Sequence, residues 1–203
     1  MAPLRIGQFE ALDPKVNPFW QHADRRLFLA RRDGKVVGRV ACIDDDNHNR
    51  IHGDDVAFFG FFEAQDEAVA NALFAAVEAR ARERGRSAVR GPLNPTMNDG
   101  AGFQVDAFDE LPYVMMPQSP PEYPVWTEAA GYTKVKDLYT FYFDNRGGPA
   151  ERLAKITERA YRRYPLKIRK AELKNFDSEV EILKRLHTAA WENNWGNVPF
   201  TEA

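Results

Sequence analysis

The spacing of apolar residues changes period several times along the chain, and each change marks an element. From Leu27 to Asp44, apolar and polar residues alternate on both sides of Asp33-Gly34. That dipeptide suits the left-handed backbone of a two-residue turn, so the stretch predicts a β-hairpin. Before it, residues 17–26 read as a turn and a short helix. After it, DDDNHNRIHGDD (44–55) reads as a polar loop. The run VAFFGFF (56–62) is apolar throughout, as in a strand buried on both faces. Gly60 inside it predicts a bulge or a close backbone approach.

From residue 67 the period becomes helical. Val69, Leu73, Ala76, Val77 and Ala81 share one face, with acids in the first turn, arginines in the last and Gly85 at the stop. A short strand over 87–93 follows. Residues 120–131 predict a short helix closed by Gly131, and 132–143 alternate as a long strand. The expected sheet unites 35–43, 56–62, 87–93 and 132–143, with the 67–84 helix covering it and a parallel βαβ unit between 56–62 and 87–93. NRGGP (145–149) is the natural linker. Then come an amphipathic helix (149–164) with an inward stripe of Leu153, Ile156, Ala160 and Tyr164, a strand (166–173) and a second amphipathic helix (177–195).

Composition narrows the function classes. The 203 residues are 44% hydrophobic and 12% aromatic, enough to build a core, which excludes a disordered chain. Basic and acidic residues number 28 and 30, a net charge of -2, so no bulk field draws the protein to nucleic acid or to an anionic membrane. The most basic stretch, 151–170, carries eight basic and two acidic residues and reads as the solvent face of a linker helix. Cys42 is the single cysteine; its flank VACID reads as a strand, so it is expected as a buried structural thiol in a reducing compartment. No run approaches the roughly 20 apolar residues that span a bilayer, and the N-terminus lacks a signal-peptide core. A soluble, cytoplasmic protein without membrane contact is expected.

Two loops hold candidate chemistry. RGPLNPTMNDGAGF (90–103) packs prolines and glycines around Asn94, Thr96, Asn98 and Asp99. Those side chains can bind a polar group at the edge of the sheet, or close Asx-type turns on their own backbone. The 44–55 loop gathers Asp44, Asp45, Asp46, His48, His52, Asp54 and Asp55, yet their spacing fits no metal-ligand motif, so a solvated loop and no metal are expected. The aromatic strand FFGFF reads as core, with an acyl-lining pocket as the alternative.

The order hairpin, strand, long helix, strand, short helix, long strand resembles the GNAT acetyltransferase superfamily over about Leu27–Phe143. PEYPVWTEAAGYTKVKDLYTFYF is similar to the GNAT ending, where a Tyr-bearing short helix passes through a Gly-aromatic pair (Gly131-Tyr132) into a strand. PLKIRKAELKNFDSEVEILKRLHTAAWENNWG resembles the start of a second such domain. NPFW.H, GRVA, FFGFFE, RGP.NP..N and W..NWG resemble a family of bacterial tandem-GNAT proteins of undefined substrate. The resemblance implies a mixed α/β, GNAT-like sheet flanked by helices over residues 1–146, a linker helix over 147–164, and the first strand and helix of a second GNAT-like domain over 165–203. Thr201 and Glu202 resemble the start of another helix, so a piece of a longer protein is expected.

The same resemblance implies a function: transfer of an acyl group from acetyl-CoA or another acyl-CoA to a small-molecule amine or peptide in the intact protein. The alternative is a non-catalytic GNAT-like module that shapes a substrate groove or a homo-oligomer. Glu63 stands where GNAT enzymes often place a general base; a first-turn carboxylate favoured by the helix dipole is the other reading. Trp191, Asn194 and Trp195 fall where the first GNAT helix enters the substrate-side loop. One departure counts against a cofactor here. GNAT enzymes hold the CoA pyrophosphate on a Gln/Arg-x-x-Gly-x-Gly/Ala turn, whose glycines admit the phosphates to the backbone N–H groups. This chain has FFEAQDEAVANAL, with no glycine and with Glu63, Asp66 and Glu67. No CoA is therefore expected on this first domain.

Overall fold

A computed structural model describes residues 5–113, 116–142, 144, 146, 151–165 and 167–199. The chain divides into two compact units, Met1–Val135 with Trp191–Ala203, and Lys136–Ala190. The first holds a four-stranded mixed sheet in the order β1-β2-β3-β4. It is a mixed α/β fold consistent with a GNAT-like architecture.

β1 (Ala23–Arg32) and β2 (Lys35–Asp45) form the expected hairpin, turning at Asp33 and Gly34 with φ of 50° and 78°. Both values lie in the left-handed region that this turn type requires. β3 (Val56–Ala64) pairs antiparallel with β2, and β4 (Ala88–Arg90) pairs parallel with β3 over three residues. Between them runs α3 (Glu67–Glu83), whose Val69, Leu73, Phe74, Val77 and Ala81 are buried. Its stripe packs on Val40, Cys42, Phe59 and Phe62 of the sheet. The opposite face carries Ile43, Phe58, Phe61 and Leu93 under Trp20. Each large side chain buried this way contributes roughly 1.5–3 kcal/mol. The aromatic strand is therefore core on both faces, as expected.

Cys42 is buried, and burial pushes its thiol pKa up to about 11. It stays protonated, an inert packing group.

α4 (Glu122–Ala129) ends at Gly131, which has φ of 95°. Tyr123 of this helix anchors to the end of β3: its hydroxyl accepts from the Ala64 N–H at 3.1 Å. α1 (Arg5–Leu12) and a 3-10 helix (Pro18–Gln21) close the second face, and the Trp20 indole donates to the Ala11 carbonyl at 2.9 Å. The second unit contains α5 (Glu151–Arg163) and most of α6 (Phe176–Trp191). Among the described residues no helix is long and apolar enough to cross a membrane.

Four expectations are corrected. Residues 44–55 are not a solvated loop: Asp44 and Asp45 end β2, and 46–52 form a helix, α2 (Asp46–His52), with His48 and Asn49 buried. Asp45 makes this possible by accepting from the N–H groups of Asn47 and His48, which caps the helix start. Residues 132–142 join no strand, and Phe143 lies outside the described residues. β4 ends at Arg90, where Gly91 and Pro92 divert the chain, so it offers only a three-residue edge. Tyr139 and Phe141 are accordingly 78% and 86% exposed. The strand expected at 166–173 does not form over 167–172, and Leu173–Asn175 is a 3-10 helix; Leu166 lies outside the described residues. α5 buries none of its stripe, because Leu153, Ile156 and Tyr164 have no covering element among the described residues.

Candidate functional site

Three places on the sheet unit bear on function. The first is the bulge in β3. Ala41 faces Gly60 and Arg39 faces Glu63, so Phe61 and Phe62 together oppose Val40. The extra residue puts Phe61 at φ 50° and turns Phe61 and Phe62 to opposite faces. Loop 91–101 lies directly against it. The Leu93 N–H donates to the Phe59 carbonyl at 2.9 Å, and Asn94 Oδ1 accepts from the Phe61 N–H at 2.6 Å. Gly60 permits this approach, since a Cβ there would overlap the Leu93 carbonyl oxygen. Both prolines of the loop follow cis bonds, Gly91-Pro92 and Asn94-Pro95.

The other loop residues bond among themselves. The Thr96 hydroxyl donates to Asp99 Oδ2 at 2.6 Å, and the Asn98 N–H donates to Thr96 Oγ1 at 3.1 Å. The Asn98 side chain is exposed.

The second place is the start of α3. Asp66 caps it, accepting from the Val69 N–H at 3.0 Å, and Arg32 grips the same carboxylate at 2.7 and 3.2 Å. The guanidinium holds the Asp66 carboxyl below its ordinary value. Glu63 is not part of this helix start. It lies in β3 and pairs with Arg39 across the ladder at 3.0 Å.

The third place was not legible as a site. His48 and His52 lie on α2 with ring centroids 4.5 Å apart. His48 Nε2 meets Asp54 Oδ2 at 3.1 Å, and Arg90 of β4 donates to the same oxygen at 2.9 Å. Residues 192–199 form a strap over this node. Arg90 stands 5.5 Å from the Trp195 ring centroid, Gly196 seats on Met97, and His52 Nε2 donates to the Asn197 carbonyl at 2.9 Å. The strap thus unites two stretches that the sequence kept apart, 90–99 and 191–197. Trp191 and Trp195 remain 45% and 39% exposed. The missed signal was the i, i+4 spacing of His48 and His52, which counts only if 46–52 is a helix. Among the described residues no group of three or more His, Cys, Asp or Glu is placed to hold a metal ion.

Burial lowers the His48 pKa, outweighing the hydrogen bond to Asp54 that raises it. For Asp54, burial acts upward, but the bonds from His48 and Arg90 together hold its carboxyl below the usual range. The sign for stability follows. Below the unfolded histidine value of about 6.5 the unfolded chain binds a proton that folded His48 refuses. Stability is therefore expected to fall as pH drops from 7 to 5. Asp54 acts only lower, in the carboxylate range. Urea unfolding at pH 7 and pH 5 should show the decline in the native chain and a smaller one in His48→Gln. Equal slopes would place the titrating group elsewhere.

No family model and no solved structure matches the chain. Two curated proteins do. One, from Caulobacter vibrioides, is named bacterial ceramide synthase; it is 36% identical over 208 aligned residues, which cover 100% of this chain and 53% of that protein. Both are relatives of this chain. The other is protein YghO of Escherichia coli, 34% identical over 204 residues, covering 98% of this chain and 51% of YghO. The chain thus spans about half the length of the curated relatives it matches.

Proposed function

We propose that the intact protein is an N-acyltransferase of GNAT type, moving an acyl group from an acyl-CoA to a small-molecule amine. The observation that carries this is the similarity, along the whole chain, to a protein named for making ceramide, the amide of a long-chain amino alcohol. The mixed sheet with its bulged third strand supports the same reading.

Within that function this chain is proposed to supply an acceptor-side wall rather than the donor cradle. Two features support the division. The helix dipole of α3 is already met by Asp66, which Arg32 neutralises in turn, and no glycine opens the turn to phosphates. The N–H of Phe61 at the bulge is also taken, by Asn94.

The test is direct. The purified intact protein, given palmitoyl-CoA and a long-chain amino alcohol, should form the amide and release free thiol. Absence of amide with every amine tried sinks the enzymatic reading. The 203-residue chain alone should show no amide shifts at Ala64–Glu67 on titration with acetyl-CoA; tight binding there would overturn the division of labour. The occupied helix start also favours a second reading, a non-catalytic GNAT-like module shaping a groove, which the first outcome would leave standing.

A further inference from the structure

We propose that His52 and Asn197 form a receptor for a primary amine, with His52 Nδ1 as the base that takes a proton from its ammonium form. This rests on the acyl-transfer reading above and names the acceptor's contacts.

Two unsatisfied acceptors carry the inference. Asn197 is 4% exposed, and its Oδ1 is fully buried without a hydrogen-bond partner among the described residues. Buried polar atoms are nearly always bonded, so this oxygen calls for a donor. The second acceptor is on His52. Its Nε2 faces a carbonyl oxygen, which can only accept, so Nε2 carries the proton. In the neutral ring Nδ1 then holds a lone pair, and no described residue pairs with it. The two acceptors sit on residues already joined by the 2.9 Å bond between His52 Nε2 and the Asn197 carbonyl. An ammonium group, all donors, satisfies both at once.

The surroundings fit an amine that must lose its proton. Asp54 is neutralised by Arg90, so no free carboxylate holds the ammonium as a salt. His48, the other titratable group against His52, is kept neutral by burial. Exposed Trp191, Trp195 and Ile51 give the site an apolar margin for a hydrocarbon chain. The chemistry balances with an acyl thioester as the second substrate. His52 takes one proton from R–NH3+; the amine nitrogen bonds to the thioester carbon; the C–S bond breaks. The departing thiolate takes a second proton from nitrogen, and the imidazolium returns its proton to solvent.

The intact protein tests this with octylamine as the binding probe and amide formation as the rate. His52→Gln and His52→Ala should each lower kcat/KM for the amine about 100-fold, with melting temperatures near wild type. Added imidazole should restore part of the rate to His52→Ala, which a packing role would not produce. Asn197→Leu should weaken octylamine binding roughly tenfold, and octanoate should not bind. Wild-type turnover in the His52 variants overturns the proposal. So does unchanged octylamine binding in Asn197→Leu, which would assign Asn197 Oδ1 to a trapped water, and so does a preference for octanoate, which would mean the amide presents its NH2. If no amine is acylated yet octylamine binds through Asn197, the acyl-transfer reading fails and the receptor stands. If acylation proceeds and the variants match wild type, the receptor fails alone.

Discussion

Gly60→Val is expected to unfold the sheet unit, or to leave it less stable by about 3 kcal/mol or more. The reason is contact between two backbones. A Cβ on Gly60 would overlap the Leu93 carbonyl oxygen and stand 2.8 Å from its carbonyl carbon. No rotamer relieves that, because both groups are main chain. Leu93 is held in place by its N–H bond to the Phe59 carbonyl. Gly91 prevents a retreat, since a Cβ there would meet the Phe59 ring at 2.6 Å and the Phe59 carbonyl oxygen more closely still. Moving the loop away would instead break the Asn94 bond to Phe61. Gly7→Ala is the control. Nothing lies within 4 Å of its Cβ position, so alanine should be neutral or stabilise α1 by up to ~1 kcal/mol. Urea melts followed by tryptophan fluorescence report both. A Gly60→Val midpoint close to wild type would show that the loop is not fixed against the strand.

What the sequence made legible here is what local chemistry decides. Asp33-Gly34 dictates a left-handed turn, and the pattern from Val69 to Ala81 dictates a helix face. Gly60 announced a close approach without saying to what. The failures share a cause too. Residues 46–52 look too polar for structure because their charges are used in tertiary pairs: Arg84 and Arg86 of the chain after α3 bond Asp44 at 2.8 and 2.7 Å, forty residues away. Asp45 serves as a cap, and His48 packs edge-on to Phe58 at 4.8 Å. Residues 132–142 fail in the opposite way. Their alternation is a sound strand pattern, but a strand exists only where an edge receives it, and β4 is three residues long. The strap is the hardest case. Nothing in WENNWGN names Met97, Arg90 or His52 as its neighbours, so the node at α2 was invisible until the fold joined residues 145 apart in sequence.

Asn94 and Asn98, alike on paper, are expected to part company. Asn94→Ala should destabilise the sheet unit by roughly 1–3 kcal/mol, the cost of leaving a buried donor unpaired. The donor is the Phe61 N–H, and Phe61 is a bulky residue held at φ 50°, a conformation that costs energy without support. Asn94 supplies that support through Oδ1, while its own N–H is bound to the Gly100 carbonyl at 2.9 Å. Asn94→Asp keeps an acceptor of the same shape and should recover most of the loss near neutral pH. Asn98 is exposed and only its backbone N–H is engaged, by Thr96. Asn98→Ala should therefore change stability by less than about 0.5 kcal/mol. That contrast separates scaffold from contact. If Asn98→Ala lowers acyl transfer by the intact protein while the melt is unmoved, the loop touches substrate through Asn98. If transfer falls only in Asn94→Ala, and in proportion to lost folding, the loop works by holding the bulge in shape. An Asn94→Ala melt as stable as wild type would remove the bulge bond from both accounts, because the Phe61 N–H would then have found another partner.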